Sequence, residues 1–332
     1  MWPHLRNSRV CTAYLGLDAV WFSAGSQLFR ETHTDGAHVL RDFAGASRGL
    51  RMLSVTGADM LYASPEGGTV EPSERGLWRH DGSVWSRVID LSAFPNPTCI
   101  WGFEAARDGT LFAGAYTTAR DTRACCIFVS RDHGARWTEC YSDMRARHVH
   151  AITSDPITGA IYASIGDDFG IWNKRAILKS LDQGSTWTPI LLDVPQSAPA
   201  VCVPGARIFG SDHDGDLAIY RSEDDATYRR IPLAAEPEYF FWMRVDHANC
   251  LVVGGTVAGG SANAAAHIYL SRDLGQSWAP IVTRAVETKW DGFPNASNIH
   301  DSRILVARRN RGVTETPVLI DLIGREDTDG IQ

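Results

Sequence analysis

An eight-residue pattern recurs along the chain and restricts its fold more than any other feature. Ser130-Arg131-Asp132-His133-Gly134-Ala135-Arg136-Trp137, Ser180-Leu181-Asp182-Gln183-Gly184-Ser185-Thr186-Trp187 and Ser271-Arg272-Asp273-Leu274-Gly275-Gln276-Ser277-Trp278 all read S-x-D-x-G-x-x-W. Arg79-His80-Asp81-Gly82-Ser83-Val84-Trp85 is a looser copy, and Arg221-Ser222-Glu223-Asp224-Asp225-Ala226-Thr227-Tyr228 a degenerate one. Apolar runs flank each copy, as Cys126-Ile127-Phe128-Val129 and Trp137-Thr138-Glu139-Cys140 flank the first. That order reads as strand, tight turn, strand. The glycine supplies a positive-φ turn position without steric cost. The aspartate accepts hydrogen bonds from the turn's own N–H groups, and the tryptophan ring packs over the turn while its indole N–H seeks a partner.

The copies are evenly spread. Asp81 to Asp132 is 51 residues, Asp132 to Asp182 is 50, Asp182 to Asp224 is 42 and Asp224 to Asp273 is 49. A unit of this size cannot bury both its faces alone, so the units must pack on one another.

The pattern resembles the Asp box of the bacterial-neuraminidase repeat family. The resemblance implies that each copy joins the third and fourth strands of a β-propeller blade. It carries no single function, because sialidases, polysaccharide lyases, sorting receptors and assembly factors resemble one another in having such repeats. The expectation is an all-β, seven-bladed propeller, with blades near residues 8–44, 48–91, 97–141, 146–192, 199–233, 238–283 and 292–322. Six blades is the competing count if the first or last is not a full sheet. The seventh shows three clear strands, and Trp2-Pro3-His4-Leu5-Arg6 could supply an outer fourth as a clasp that removes the sheet edge. Residues 1–325 would form one domain and 326–332 a disordered tail.

Composition narrows the partners. A net charge of −7 without a basic block argues against nucleic acid. No apolar run reaches the roughly 18 residues of a membrane span, and Met1-Trp2-Pro3-His4-Leu5-Arg6-Asn7 lacks the apolar core of a signal peptide. A cytoplasmic monomer that binds a carbohydrate or other small molecule is expected. The seven cysteines are an odd number and read as reduced, mostly buried thiols. Cys125 and Cys126 should point to opposite faces of one strand.

In a propeller the first strand of each blade lines the central channel. The loops entering it, and those joining the second and third strands, share the face opposite the boxes. The pocket is expected on that face. Blade four brings Arg147-His148-Val149-His150, whose period of two puts His148 and His150 on one side, and adds Asp167 and Asp168. Blade five brings Ser211-Asp212-His213-Asp214-Gly215-Asp216, blade three Tyr116 and Trp101, blade two Glu66, and blade six Trp242 and Arg244 at i, i+2.

Three chemistries fit these residue types. A glycosidase needs two carboxyls at a set distance, which Asp167 or Asp168 with Asp212 or Asp214 could supply. A uronate-directed polysaccharide lyase needs a base and a cation to neutralise the sugar carboxylate. His148, His150, His213, Asp212 and Tyr116 are the catalytic candidates, and Arg147, Arg244, Trp242, Asp167, Asp168 and Trp101 the substrate-binding ones. The His-x-His strand with Asp155-Pro156 is similar to Asp-box propellers of the lyase and rhamnosidase-like type. That reading needs no cofactor. The second chemistry is a divalent metal held by His148, His150 and His213 with Asp212. The third is structural, with the histidines satisfying backbone carbonyls of neighbouring blades and the Asp212–Asp216 loop a solvated turn or a surface calcium site. A non-catalytic propeller that binds a glycan or a protein stands beside the enzyme reading. A sialidase is disfavoured, because Arg230-Ile231-Pro232 follows a degenerate box on an outer strand, leaving Arg147, Arg244 and Arg303 as the candidate arginine triad.

Overall fold

A computed structural model describes residues 8–56, 60–117, 125–143, 145–169, 172–173, 175–191, 197–212, 218–233, 238–258, 265–288 and 290–323. Among the described residues every element is a strand, and no helix is long and apolar enough to cross a membrane. The expected clasp Trp2–Arg6, the candidates His213, Asp214 and Asp216, and the tail lie outside the described residues.

The strands come in groups. The first holds β1 (Val10–Leu15), β2 (Ala19–Ala24), β3 (Gln27–Thr32) and β4 (Gly36–Asp42). Next come β5 (Leu50–Thr56), β6 (Met60–Pro65), β7 (Gly76–His80) and β8 (Trp85–Asp90). The third has β9 (Thr98–Ala105), β10 (Leu111–Thr117), β11 (Cys126–Ser130) and β12 (Thr138–Ser142). The fourth has β13 (Val149–Ser154), β14 (Ile161–Ile165), a two-residue ladder of β15 (Asp168–Phe169) and β16 (Trp172–Asn173), β17 (Ala176–Ser180) and β18 (Thr188–Leu191). The fifth has β19 (Ser197–Val203), β20 (Ala206–Ser211), β21 (Ala218–Ser222) and β22 (Arg229–Pro232). The sixth has β23 (Glu238–Asp246), β24 (Leu251–Ala258), β25 (Ala265–Ser271) and β26 (Ala279–Ala285), and the last β27 (Gly292–His300), β28 (Arg303–Asn310) and β29 (Val313–Asp321).

The first five groups are four-stranded antiparallel meanders. The last two are joined into a seven-stranded sheet by a single pairing, Val257 with Gly292. The innermost strands pack in a closed circuit: β1 on β5, β5 on β9, β9 on β13, β13 on β19, β19 on β23, β23 on β27, and β27 back on β1. This is the architecture of a β-propeller, in which apolar side chains interleave between adjacent sheets. Phe112 of β10, for example, packs with Val149, Ile152 and Ile161 of the next sheet.

The recurrent corners behave as their chemistry requires. Ser130 Oγ donates to Asp132 Oδ1 at 2.9 Å and accepts from Gly134 N at 2.8 Å, while Arg136 N donates to Asp132 Oδ1 at 2.8 Å. The same carboxylate bond forms from Thr186 N to Asp182 and from Ser277 N to Asp273. The looser copies keep it too, from Val84 N to Asp81 and from Thr227 N to Asp224. Trp137 and Trp278 each donate their indole N–H to the corner glycine's carbonyl at 3.2 Å. The glycines have a second reason to be glycine. A Cβ on Gly134 would lie 2.0 Å from Tyr62 Oη, one on Gly184 2.7 Å from Phe112, and one on Gly275 2.1 Å from Ile208. In each case the neighbour belongs to the preceding sheet, so the corner also docks one sheet on the next.

The cysteines are free thiols, and Cys250 is exposed. Cys125 and Cys126 enter different apolar clusters, as opposite-facing neighbours must.

Candidate functional site

A bulge repeated from sheet to sheet builds the channel. In β5, β9, β13 and β23 one extra residue stands between two paired neighbours: Arg51, Trp101, His150 and Phe241. A bulge re-aims the side chain it carries, and these four converge. The Arg51 guanidinium lies 3.6 Å over the Trp101 ring and 5.9 Å from Phe241. Trp101 sits 5.8 Å from His150 and 6.0 Å from Phe241. Glu66 approaches Arg51 at 3.6 Å and Arg48 at 3.3 Å. Together they form a stacked constriction across the channel.

On the side of this constriction away from the corners, His148 and His150 meet. Their Nε2 atoms are 3.2 Å apart, with the rings perpendicular. His148 Nδ1 bonds Thr117 O at 2.7 Å, and Tyr116 stacks on the His148 ring at 4.1 Å. Asp167 completes the cluster, with Oδ2 3.3 Å from His148 Nε2 and Oδ1 3.2 Å from His150 Nε2. Arg147 donates to Asp167 Oδ2 at 2.5 Å. His150 Nε2 also lies 2.9 Å from Gly166 O, and its Nδ1 faces Asp212 Oδ2 at 3.9 Å. His148, His150 and Asp167 are only 1%, 4% and 6% exposed.

Burial and the adjacent His150 hold His148 down at about 4, so it is neutral near pH 7. Burial pulls His150 down as well, but Asp212 and Asp167 outweigh it and raise its value. Burial pushes Asp167 up, yet the two imidazoles outweigh that and keep it well below the usual carboxylate range. The Tyr116 phenol is driven well above its ordinary value by burial. The donor atoms of His148, His150 and Asp167 all lie within 4.8 Å of one another, a spacing that can hold a metal ion.

The end of the channel is fixed by register. Leu111 pairs with both Ala105 and Ser130, so the corner that starts at Ser130 lies level with the end of β9. Thr117 pairs with Thr98, at the far end. The His148–Asp167 cluster is therefore opposite the corners, as the sequence predicts. The pocket is not. Among the described residues, a cavity of about 550 Å³ starts at Arg51, Trp101, His150 and Phe241 and runs to Arg107, Pro156 and His247, the corner end of the channel.

Several predicted site residues take other places. Trp242 and Arg244 do share a side, but that side is turned to the next sheet. Trp242 is buried and donates to Phe293 O at 2.8 Å. Arg244 donates to Ser297 O, Met243 O and Ala296 O, and burial lowers it to about 10. The bulge presents Phe241 to the axis instead of Trp242. No arginine triad assembles, because Arg147 is engaged by Asp167, Arg244 by carbonyls, and Arg303 lies exposed on a second strand. In the metal set imagined from sequence, Asp167 takes the carboxylate position nearest the imidazoles and Asp212 stands behind His150. Asp168 is described only as backbone, in its ladder with Asn173.

Sequence reasoning missed two groups. Arg51 carries no pattern until the bulge turns it inward. Glu104 lines the cavity and accepts from Ser154 N at 3.0 Å and from Ser154 Oγ. Burial raises its carboxyl to about 7 against those bonds. The alternation of β9, which sends Gly102 and Glu104 to one side, was the available signal.

No family model matches the chain, and no curated protein matches it. Among solved structures, the GH74 enzyme of Niastella koreensis is similar over 96% of this chain and 53% of its own, at 15% identity and a TM-score of 0.66. This chain thus spans about half the length of that enzyme. A nidogen–laminin complex structure (11% identity, 82% and 89% covered, TM-score 0.49) and a putative TolB of Agrobacterium tumefaciens (10%, 84% and 82%, TM-score 0.46) are more distant. At these identities the likeness speaks to the fold, which it supports as a β-propeller.

Proposed function

We propose that the chain is a seven-bladed propeller of the Asp-box type that acts on an acidic glycan, with His148, His150, Asp167 and Tyr116 as its working centre. The blade count rests on the closed circuit of seven innermost strands, and the repeat type on the corner hydrogen bonds shared by all five copies. The observation that carries the functional reading is the convergence of the two imidazoles and the carboxylate within hydrogen-bond range on the channel axis. The GH74 likeness is compatible with a carbohydrate substrate. Of the two reaction classes, the lyase fits better. A hydrolase needs a pair of available carboxyls, and both Asp167 oxygens are already engaged by Arg147, His148 and His150.

The test is a panel of uronate-containing and neutral glycans with the purified chain, scored for unsaturated uronate ends and for new reducing ends separately. Unsaturated ends are expected, lost in His150→Ala and kept in His133→Asn, a change in a corner turn at the other end of the channel. New reducing ends without unsaturation would replace the lyase by a hydrolase. Binding without any product would favour the non-catalytic propeller.

A further inference from the structure

We propose that His148, His150 and Asp167 bind a divalent transition-metal ion of the zinc class. The inference uses the geometry of the proposed working centre and does not depend on its activity. The two Nε2 atoms are 3.2 Å apart, His148 Nε2 lies 3.3 Å from Asp167 Oδ2 and His150 Nε2 lies 3.2 Å from Asp167 Oδ1; with one donor atom from each residue, all three lie within 4.8 Å of one another. Nitrogen and oxygen ligands at roughly 2.0–2.1 Å in a tetrahedron stand about 3.3 Å from one another. The imidazole pair therefore has the edge of such a tetrahedron, and the Asp167 carboxylate brings the third donor within reach of the same ion.

Proton placement points the same way. Only an N–H can bond the Thr117 carbonyl, so His148 carries its proton on Nδ1 and presents the Nε2 lone pair to the cluster. That is how ligating histidines are commonly held, with the second nitrogen fixed by a carbonyl or carboxylate. His150 turns its Nε2 to the cluster too, but that nitrogen also lies 2.9 Å from Gly166 O, while its Nδ1 faces Asp212 Oδ2 at 3.9 Å. Two inward lone pairs 3.2 Å apart repel unless a cation lies between them. In the metal-free chain, a proton on His150 Nε2 serves, shared among His148 Nε2, Gly166 O and Asp167. On metal binding that single ring proton moves from Nε2 to Nδ1, which faces Asp212.

The donor set selects the ion. Two imidazoles and one carboxylate suit zinc, cobalt or nickel, whereas calcium and magnesium take oxygen ligands. Arg147 balances Asp167 and fixes its orientation. The bulge at His150 brings the two imidazoles of an H-x-H pair to ligand spacing.

The experiment uses the full chain, stripped with chelator and titrated with zinc chloride and, separately, cobalt(II) chloride. Near-stoichiometric binding is expected, with the intense visible absorption of tetrahedral cobalt and a rise in the thermal midpoint on adding zinc. His148→Ala and Asp167→Asn should each weaken binding by at least about tenfold and abolish the cobalt bands. Absence of stoichiometric binding, octahedral cobalt spectra, or unchanged affinity in both variants would overturn the site. The cobalt spectrum of the unaltered chain decides the matter even if a variant fails to fold. Metal binding without glycan cleavage would leave this inference standing and remove the enzymatic reading; cleavage by a chain that binds no metal would do the reverse.

Discussion

Asp167 and Arg147 meet at 2.5 Å, and their side chains are only 8% and 13% exposed. The pair stands behind the two imidazoles and fixes the orientation of the carboxylate toward them. Because β13 begins directly after His148 and bulges at His150, neighbours in sequence supply both sides of one buried ionic cluster. The Asp167 arm comes back from the far end of β14 through Gly166, whose φ of +122° is open to glycine but poorly to other residues.

Removing one partner of such a pair leaves an uncompensated buried charge. Arg147→Met is therefore expected to lower unfolding free energy by about 3 kcal/mol. The exposed pair Arg136–Asp132, with the arginine side chain 90% exposed, is the contrast. Arg136→Met should change stability by no more than about 0.5 kcal/mol. Urea unfolding of both variants checks the difference. Similar small losses would mean that the imidazoles alone hold Asp167.

The corner glycines give a second graded pair. Gly275 has φ of +81°, and a Cβ there would lie 2.1 Å from Ile208 of the preceding sheet. Gly82, in the looser copy, has φ of +94° and open space around it. Gly82→Ala should cost only the backbone strain, about 1 kcal/mol. Gly275→Ala adds overpacking and should cost about 3 kcal/mol in all. Equal losses, read from chemical denaturation, would show that Ile208 simply moves aside and that the corner does not dock the sheets.

The corners were legible in the sequence because every part of them is local. Asp132, Gly134 and Trp137 satisfy one another within a single turn, so the pattern survives without knowledge of the rest of the chain. The H-x-H pair was legible as a candidate because alternation favours one side for His148 and His150, though the bulge at His150 is what sets their contact. The channel contents were not. Whether Phe241 or Trp242 faces the axis depends on one unpaired residue in β23, and a bulge of this kind has no composition of its own. Arg51 was invisible for the same cause, and with it the stack it makes on Trp101. The choice of Asp167 over Asp212 beside the imidazoles turns on how the β14 end bends through Gly166, which residue types alone do not specify.

Glu104 makes the cavity sensitive to pH in a direction that can be worked out. Its carboxyl is held up at about 7 by burial, while Ser154 N and Oγ donate to Oε1 and pull the other way. An unfolded glutamate ionises near about 4.3. Between that value and about 7 the folded chain keeps a proton that the unfolded chain has lost, so Glu104 makes stability fall as pH rises through this window. Below it both states are protonated, and above it both are ionised, so the contribution is flat on either side. Its full size is bounded by about 4 kcal/mol and is smaller in practice, because the carboxyl keeps part of its surface open to the cavity. Glu104→Gln preserves an acceptor for Ser154 and removes the titration. Urea unfolding from pH 5 to 8 should show the variant gaining on the unaltered chain as pH rises, with most of the gain complete just above pH 7. Curves that stay parallel across that range would mean the carboxyl ionises freely in the folded protein, and that the cavity at the corner end is wetter and more polar than its lining by Phe103, Trp101 and Phe241 implies.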